Sequence, residues 1–254
     1  MKQRLDQLLV ARGLVPSRER GRALILAGKI RVGGQVQSKA GSRVADDAVI
    51  ELDAPEHPYV GRGGVKLAHA LDAFGIDPAG RDALDIGAST GGFTDVMLQR
   101  GARHVVALDV GHNQLDWKLR SDARVTVIEH VNARSLTPDL LPEAHRRFGL
   151  VTIDVSFISL RYILPVVPAL LALSEPPGGE SKGDVIALVK PQFEAGRGDV
   201  ASGGIVRDRA VHERVIDEVT AAAQASGLKR RGLTPSPITG TEGNQEFLLW
   251  LKPL

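Results

Sequence analysis

Five apolar runs of strand length, DALDIG, HVVALDV, VTVIEH, LVTIDVSF and DVIALVKPQF, follow one another between residues 82 and 193 of this 254-residue chain. The stretches between them read as helical segments. Strands apolar on both faces that alternate with helices build a parallel sheet covered on each side. Two further strands, in RGLTPSP and EFLLWLKPL, are separated only by a few residues around TGTEGNQ. A parallel crossover needs a dozen or more residues, so this last pair is antiparallel. The expected class is α/β: a mostly parallel, Rossmann-like sheet whose final strand runs antiparallel.

In an open sheet of this kind, ligands bind beyond the carboxyl ends of the strands. The first such end is LDIGASTGGFTDVML, residues 84–98, where an apolar run breaks into small residues and resumes with helical spacing. Its glycines, Gly87, Gly91 and Gly92, fit neither the G-x-G-x-x-G dinucleotide fingerprint nor G-x-x-x-x-G-K-[ST]. Asp85 stands just before the turn, where a carboxylate repels pyrophosphate and attracts an ammonium group. Asp109 ends the next strand, where an acid suits ribose hydroxyls. An amino-acid ammonium, a ribose and no phosphate describe S-adenosylmethionine, and LDIGASTGGFT followed by ALDV resembles the first two motifs of Rossmann-like methyltransferases. The expected cofactor contacts are Asp85, Gly87, Ala88, Ser89, Thr90, Gly91, Gly92, Phe93, Asp109 and Asp154, with Asn132 and Ala133 near the adenine. The competing reading is a glycine turn that only packs a strand against a helix.

Residues 1–45 hold ten lysines or arginines against Asp6 and Glu19, a local charge of +8 in a chain whose total is +2. Leu5, Leu8 and Leu9 lie at helical spacing ahead of Gly13. A second helix follows Ser17 as N-cap, with Glu19 in its first turn, and ends before Gly28. KIRVGGQVQ then alternates about Gly33-Gly34 as a hairpin does, and AVIELD is a further strand. The result is a small α+β domain over residues 1–53. Its Arg4, Arg12, Arg18, Arg20, Arg22, Lys29 and Arg31 are either the footprint of a phosphate-binding surface or a solvated charged face. RLDQLLVARGLVPSRERGRALILAGKIRVGGQVQSKAG resembles the S4-type RNA-binding domain, which implies structured RNA as the partner. APEHPYVGRGG, residues 54–64, has two prolines, three glycines and no periodicity, and reads as a linker to a second domain over 65–254.

Four residues converge on the carboxyl edge. Asp154 ends LVTID, Lys190 ends VIALVK before Pro191, and Glu246 opens the antiparallel EFLLWL. Lys66, in RGGVKLAHAL, opens the helix before the first strand. Two cations and two acids in one cleft suit methylation of a weakly acidic hydroxyl, because an alcohol attacks a sulfonium methyl only as its proton leaves. A desolvated lysine beside another cation accepts that proton, the carboxylates orient the ammonium groups, and the cations stabilise charge on the oxygen. The competing reading makes Lys66 and Glu246 exposed surface residues.

YVGRGGVKLAHALDAFGI, LDIGASTGGFTDVMLQRGA, LDVGHNQLDWKLR, IDVSFISL, LVKPQFEAGRG and GNQEFLLWL, behind the S4-type domain, resemble the TlyA (hemolysin A) family of ribosomal RNA 2′-O-methyltransferases. The catalytic domain of that family is similar to the FtsJ methyltransferase. The resemblance spans essentially the whole chain. It implies methyl transfer from S-adenosylmethionine to the ribose 2′-hydroxyl of a cytidine, with ribosomal RNA or ribosomal subunits as the partner. It also places a catalytic tetrad on Lys66, Asp154, Lys190 and Glu246, the four residues reached from the strand ends. Tyr59 stands in EHPYV where some relatives carry tryptophan. Longer relatives modify both ribosomal subunits and shorter ones only the large subunit. This chain opens almost at its first helix and stops right after its last strand, so the large subunit is expected.

Other chemistry finds less support. Without cysteine there is no disulfide, no thiolate zinc site and no nucleophile for cytosine C5-methylation. The seven histidines show no HxxxH or HxH spacing, so no metal is expected, and no protein partner is inferable. EPPG, within 174–179, lacks the aromatic of the [DN]-P-P-[FYW] motif used in amino-methylation. The apolar stretch YILPVVPALLALS is too short to span a bilayer, and Arg4, Asp6 and Arg12 interrupt any signal peptide. A cytoplasmic protein without a membrane partner is expected. At 4% aromatic residues, shape and phosphate contacts carry the RNA affinity rather than base stacking. Two alternatives stand beside the enzyme: an RNA-binding protein with a non-catalytic methyltransferase domain, and a membrane-active hemolysin. EAGRGDVASGGIVRD, after Lys190, is either a lid ordered by RNA or a long disordered loop.

Overall fold

The computed structural model describes residues 2–15, 17–53, 57–172, 183–201, 203–240 and 242–254. The EPPG segment and residues 54–56 of the expected linker lie outside them. The chain divides into two compact units, Met1–Pro58 and Tyr59–Leu254.

In the first unit, β1 (Lys2–Arg4), α1 (Leu5–Ala11) and α2 (Arg18–Leu26) precede β2 (Ile30–Val32), β3 (Gln35–Val36), β4 (Arg43–Ala45) and β5 (Ile50–Leu52). Leu5, Leu9, Val15, Ile25 and Ile30 form its core. The Ser17 hydroxyl caps α2 by accepting from the Arg20 N–H at 3.2 Å. Gly33 and Gly34 take φ of +57° and +78° between β2 and β3, as the two-residue hairpin demands. Strand β1 departs from the expectation that the chain opens on a helix: it pairs antiparallel with β4, Lys2 opposite Ala45. A three-residue strand with two basic residues carries no hydropathy signal.

In the second unit, α3 (Gly63–Phe74), β6 (Asp82–Ile86), α4 (Gly92–Gln99), β7 (His104–Leu108), α5 (Trp117–Arg120), β8 (Val125–Ile128) and β9 (Leu150–Ile153) are followed by β10 (Asp184–Val189), α6 (Pro191–Glu194), α7 (Arg209–Ala225), β11 (Leu228–Pro235) and β12 (Phe247–Pro253). The seven strands lie in the order β11-β12-β10-β9-β6-β7-β8. The five from β10 to β8 are parallel, and β12 runs antiparallel to both its neighbours. Alternate strand residues feed two cores, Leu84, Ile86, Val106 and Leu108 on one face and Ala83, Val105 and Ala107 on the other.

Three expectations change. Between β8 and β9, and in the described part of the β9–β10 connection, the chain forms short 3₁₀ turns instead of α-helices. Pro138, Pro165 and Pro168 remove donors there and fix φ. The second unit begins at Tyr59, not residue 65. Tyr59 and Val60 pack on its core, and the Val60 N–H donates to Asp95 Oδ2 at 2.9 Å. The described residues of EAGRGDVASGGIVRD are tied down: Arg214 donates to Asp199 at 2.6 Å, while Asn244 bonds the Gly204 carbonyl and the Val206 N–H, each at 2.9 Å.

Candidate active site

The glycine loop between β6 and α4 passes the end of β9 at a distance no side chain permits. Gly87 has φ of +86°, and a Cβ there would stand 2.3 Å from the Asp154 carbonyl oxygen. Asp109, just beyond β7, fixes the outer side of the loop by accepting from the Ser89 N–H at 2.8 Å and the Gly111 N–H at 2.6 Å.

Two adjoining cavities open at this carboxyl edge and share Gly87, Ser89, Asp154 and Ser156. The larger, about 610 Å³, runs past Asp109, Asn132 and Ala133, and its volume is in the range of small-molecule sites. The smaller, about 220 Å³, is lined by Ala88, Thr90, Gly92 and Phe93 together with Lys66, Asp154, Lys190 and Glu246. Two expected contacts line neither cavity. Gly91 caps α4 and faces α5, where a Cβ would meet Leu119 at 2.2 Å. Asp85 alternates with Leu84 and Ile86, so its side chain turns into the sheet's other face. It is fully buried and accepts from Thr94 Oγ1 at 2.7 Å and Thr152 Oγ1 at 3.0 Å. Burial pushes its carboxyl up to about 6. Asp85 therefore braces the loop from beneath and lines neither cavity.

The sheet register brings the four candidate catalytic residues together. Val189 pairs with Phe247, so Lys190 and Glu246 lie side by side just beyond the ladder. Ile153 pairs with both Ala187 and Ile86, which puts Asp154 at the same edge. Lys66 reaches it from the first turn of α3 and pairs with Glu246 through a short hydrogen bond. At 8% and 2% exposure these two residues are not part of a solvated surface. Lys190 Nζ stands 2.6 Å from Asp154 Oδ1 and donates to Ser156 Oγ at 2.9 Å. Each lysine thus faces its own carboxylate, where the sequence suggested one cation flanked by another. Pairing is what lets two ammonium groups be largely withdrawn from water. Arg62, Ser156 and Thr239 also line the smaller cavity and were not anticipated. Ser156 follows a strand-end acid by two positions and Arg62 adjoins a helix start, so both carried a positional signal.

Within the first unit, Arg4 and Arg18 pair with buried Asp6 at 3.0 and 3.1 Å. The hydrogen bond from Arg4 holds the Asp6 carboxyl down at about 2. Arg12 donates to the Ala48 and Asp46 carbonyls, and Arg31 to Asp53 at 3.0 Å. Lys29 is half-buried. Arg20 and Arg22 are exposed on α2, and neither guanidinium has an ion pair or hydrogen bond among the described residues.

Sheet order, glycine loop and paired cavities together define a Rossmann-like methyltransferase behind a small N-terminal domain. Residues 59–253 match the FtsJ-like methyltransferase family and residues 3–50 the S4 domain. The chain belongs to the TlyA family of S4-domain, FtsJ-like methyltransferases. It is 45% identical over 252 residues to the 16S/23S rRNA (cytidine-2′-O)-methyltransferase TlyA of Mycobacterium tuberculosis, covering 99% of this chain and 90% of that one. To the 23S rRNA (cytidine-2′-O)-methyltransferase TlyA of Campylobacter jejuni it is 34% identical, over 79% of this chain and 74% of that one. The solved structure named "Putative hemolysin from Streptococcus thermophilus" superposes with a TM-score of 0.74 at 44% identity, over 99% of this chain and 88% of that one. Among the described residues, no helix is long and apolar enough to cross a membrane, and no group of three or more His, Asp or Glu is arranged to hold a metal ion.

Proposed function

We propose that this protein transfers a methyl group from S-adenosylmethionine to the 2′-oxygen of a cytidine in ribosomal RNA. The observation that carries this reading is the couple of lysine–carboxylate ion pairs, Lys66–Glu246 and Lys190–Asp154, in one cavity beside the glycine loop. The activities named for the Mycobacterium and Campylobacter relatives have 23S rRNA in common, so large-subunit RNA is the proposed substrate.

The larger cavity fits the methyl donor. It has an acid at the end of the second strand, the half-exposed Asn132–Ala133 segment along one wall, and direct continuity with the tetrad through Gly87 and Ser89. S-adenosylmethionine supplies the electrophilic methyl group when bound. Lys190 first gives a proton to solvent; its amine then takes the proton from the substrate hydroxyl, and Asp154 stabilises the ammonium so formed. Ser156 fixes the direction of Nζ. Lys66, held by Glu246, sets a second cation against charge growing on the oxygen. Alignment of the hydroxyl by these walls supplies most of the acceleration. Arg20 and Arg22, exposed on α2, lead the proposed phosphate contacts, with Arg4, Arg12, Arg18, Lys29 and Arg31 of the same unit as further contributors. A ribosomal substrate places the protein in the cytoplasm.

A membrane-lytic activity gives the two lysine–carboxylate pairs no use, and a non-catalytic RNA-binding protein gives them no reason to line one cavity. Labelled methyl transfer to ribosomal subunits lacking the modification tests the reading, with Lys190→Ala beside the wild type and the product mapped by its resistance to alkaline cleavage. A 2′-O-methyl cytidine in 23S rRNA that the variant fails to form is the expected result. Donor binding without transfer to either subunit overturns it in favour of the non-catalytic reading.

A further inference from the structure

We propose that Glu194 is a positioning residue for methyl transfer: it clamps the segment from Asp154 to Leu160 in the shape that aims Lys190. The proposal rests on the methyltransferase reading above. Glu194 lines neither cavity, so it is not a catalytic residue.

The clamp is built from two short segments laid against each other. One leaves β9 at Asp154; the other leaves β10 at Lys190 and turns at once into α6, where the Phe193 N–H donates to the Lys190 carbonyl at 2.9 Å. They meet at three levels. Lys190 Nζ contacts Asp154 and Ser156. The rings of Phe157 and Phe193 lie 5.0 Å apart. At the far end the Glu194 carboxylate accepts from Ser159 Oγ at 2.5 Å and from the Leu160 N–H at 2.7 Å. Arg161 adds a bond to the Glu194 carbonyl at 3.1 Å.

Phe157 is why such a clamp is needed. It takes φ of +63°, a conformation unfavourable for a side chain of its size, and it is 90% exposed. Burial therefore does not hold it there, and strained backbone persists only where its surroundings fix it. The β-strand fixes one end of the segment and Glu194 the other. Among the described residues, all hydrogen-bond partners of the carboxylate belong to Ser159–Leu160, with Arg161 within 3.8 Å, although Glu194 is only 5% exposed. Burial raises its carboxyl above the ordinary range, a cost that the segment's shape repays.

Glu194→Ala, Glu194→Gln and Ser159→Ala, each in the full-length protein, test the proposal with two readouts: hydrogen exchange of residues 154–160, and steady-state transfer to ribosomal subunits. Glu194→Ala is expected to speed exchange across the segment and to lower kcat about 10- to 100-fold, with a smaller change in donor affinity. Glu194→Gln, which keeps an acceptor for the Leu160 N–H, recovers most of kcat, and Ser159→Ala gives a partial loss. Unchanged exchange in Glu194→Ala, or a kcat within about twofold of wild type, overturns the proposal. If Glu194→Ala does not fold, Ser159→Ala decides by the same two criteria. If wild type transfers no methyl to ribosomal RNA, the functional reading fails, and the exchange measurement alone decides whether Glu194 holds the segment.

Discussion

Replacing Asp85 by asparagine should make the second unit more stable at neutral pH and remove a pH dependence that the wild type shows in mild acid. The Asp85 carboxyl is fully buried, and burial raises it to about 6 despite hydroxyl donors on both oxygens. In an unfolded chain an aspartate titrates near 3.9, so the native state binds this proton about two units more tightly. That difference is worth about 3 kcal/mol. Because the native value is the higher one, the stabilisation is complete below about pH 4 and is lost as pH rises through about 6. Between about pH 4.5 and 7.5 the wild type should therefore lose about 2 kcal/mol through this group. Asparagine has no charge to desolvate and keeps one carbonyl acceptor, at a cost of about 1 kcal/mol for the weakened second bond. The variant should be slightly weaker than wild type at the lower pH and stronger by about 2 kcal/mol at the higher one. Urea unfolding followed by tryptophan fluorescence isolates the right transition, since both tryptophans, Trp117 and Trp250, lie in Tyr59–Leu254. A stability difference between variant and wild type that does not change with pH would refute the reasoning.

The other predictions concern the tetrad, the loop and the arginines of α2. Lys66→Met leaves Glu246 buried without its cation and should cost about 3–5 kcal/mol in the same unfolding assay, whereas Lys66→Met/Glu246→Leu should recover most of that stability without restoring methyl transfer. Gly87→Ala must accept φ of +86° and a Cβ 2.3 Å from the Asp154 carbonyl, so a loss of about 2 kcal/mol or more is expected, with weaker donor binding by calorimetry. Wild-type affinity in that variant would mean that the loop is not the donor's cradle. Arg20→Ala/Arg22→Ala should weaken RNA binding and reduce the slope of log affinity against log salt by about 1–2, measured by filter binding. An unchanged slope would remove these two residues from the RNA interface.

The elements most visible in the sequence were those whose signal is local. Ser17 announces a helix start because its hydroxyl satisfies an N–H three residues on, and Gly33-Gly34 announces a hairpin because both positions need positive φ. Asp154 and Lys190 were legible as strand-end residues because parallel strands bring their carboxyl ends to one edge whatever lies between. The burial of Asp85 was readable from its parity: Leu84 and Ile86 share one face, so the acid between them turns to the other, beneath the loop. Glu194 and Asn244 had no such signal, because their partners, Ser159–Leu160 and Gly204–Val206, are set by how connections pack. Tyr59 and Val60, flanked by proline and glycine, offer no period that would place them inside the second unit.

The direction of one strand decides whether the tetrad exists. Lys66 and Glu246 are 180 residues apart, and neither brings its partner along in the chain. Because β12 is inserted antiparallel between β11 and β10, its first residues lie where its neighbours end, and the pairing of Val189 with Phe247 sets Glu246 beside Lys190. A parallel β12 would carry the same glutamate to the opposite edge, a strand's length from Lys66, and each would then need another partner or water. The β11–β12 connection, residues 236–246, is just shorter than the dozen or more residues of a parallel return, which favours the antiparallel arrangement. The loop length marks the pair as antiparallel in the sequence but does not place Glu246, so lengthening that connection alone should leave the glutamate where it is. What holds the glutamate at the edge is the ladder with β10.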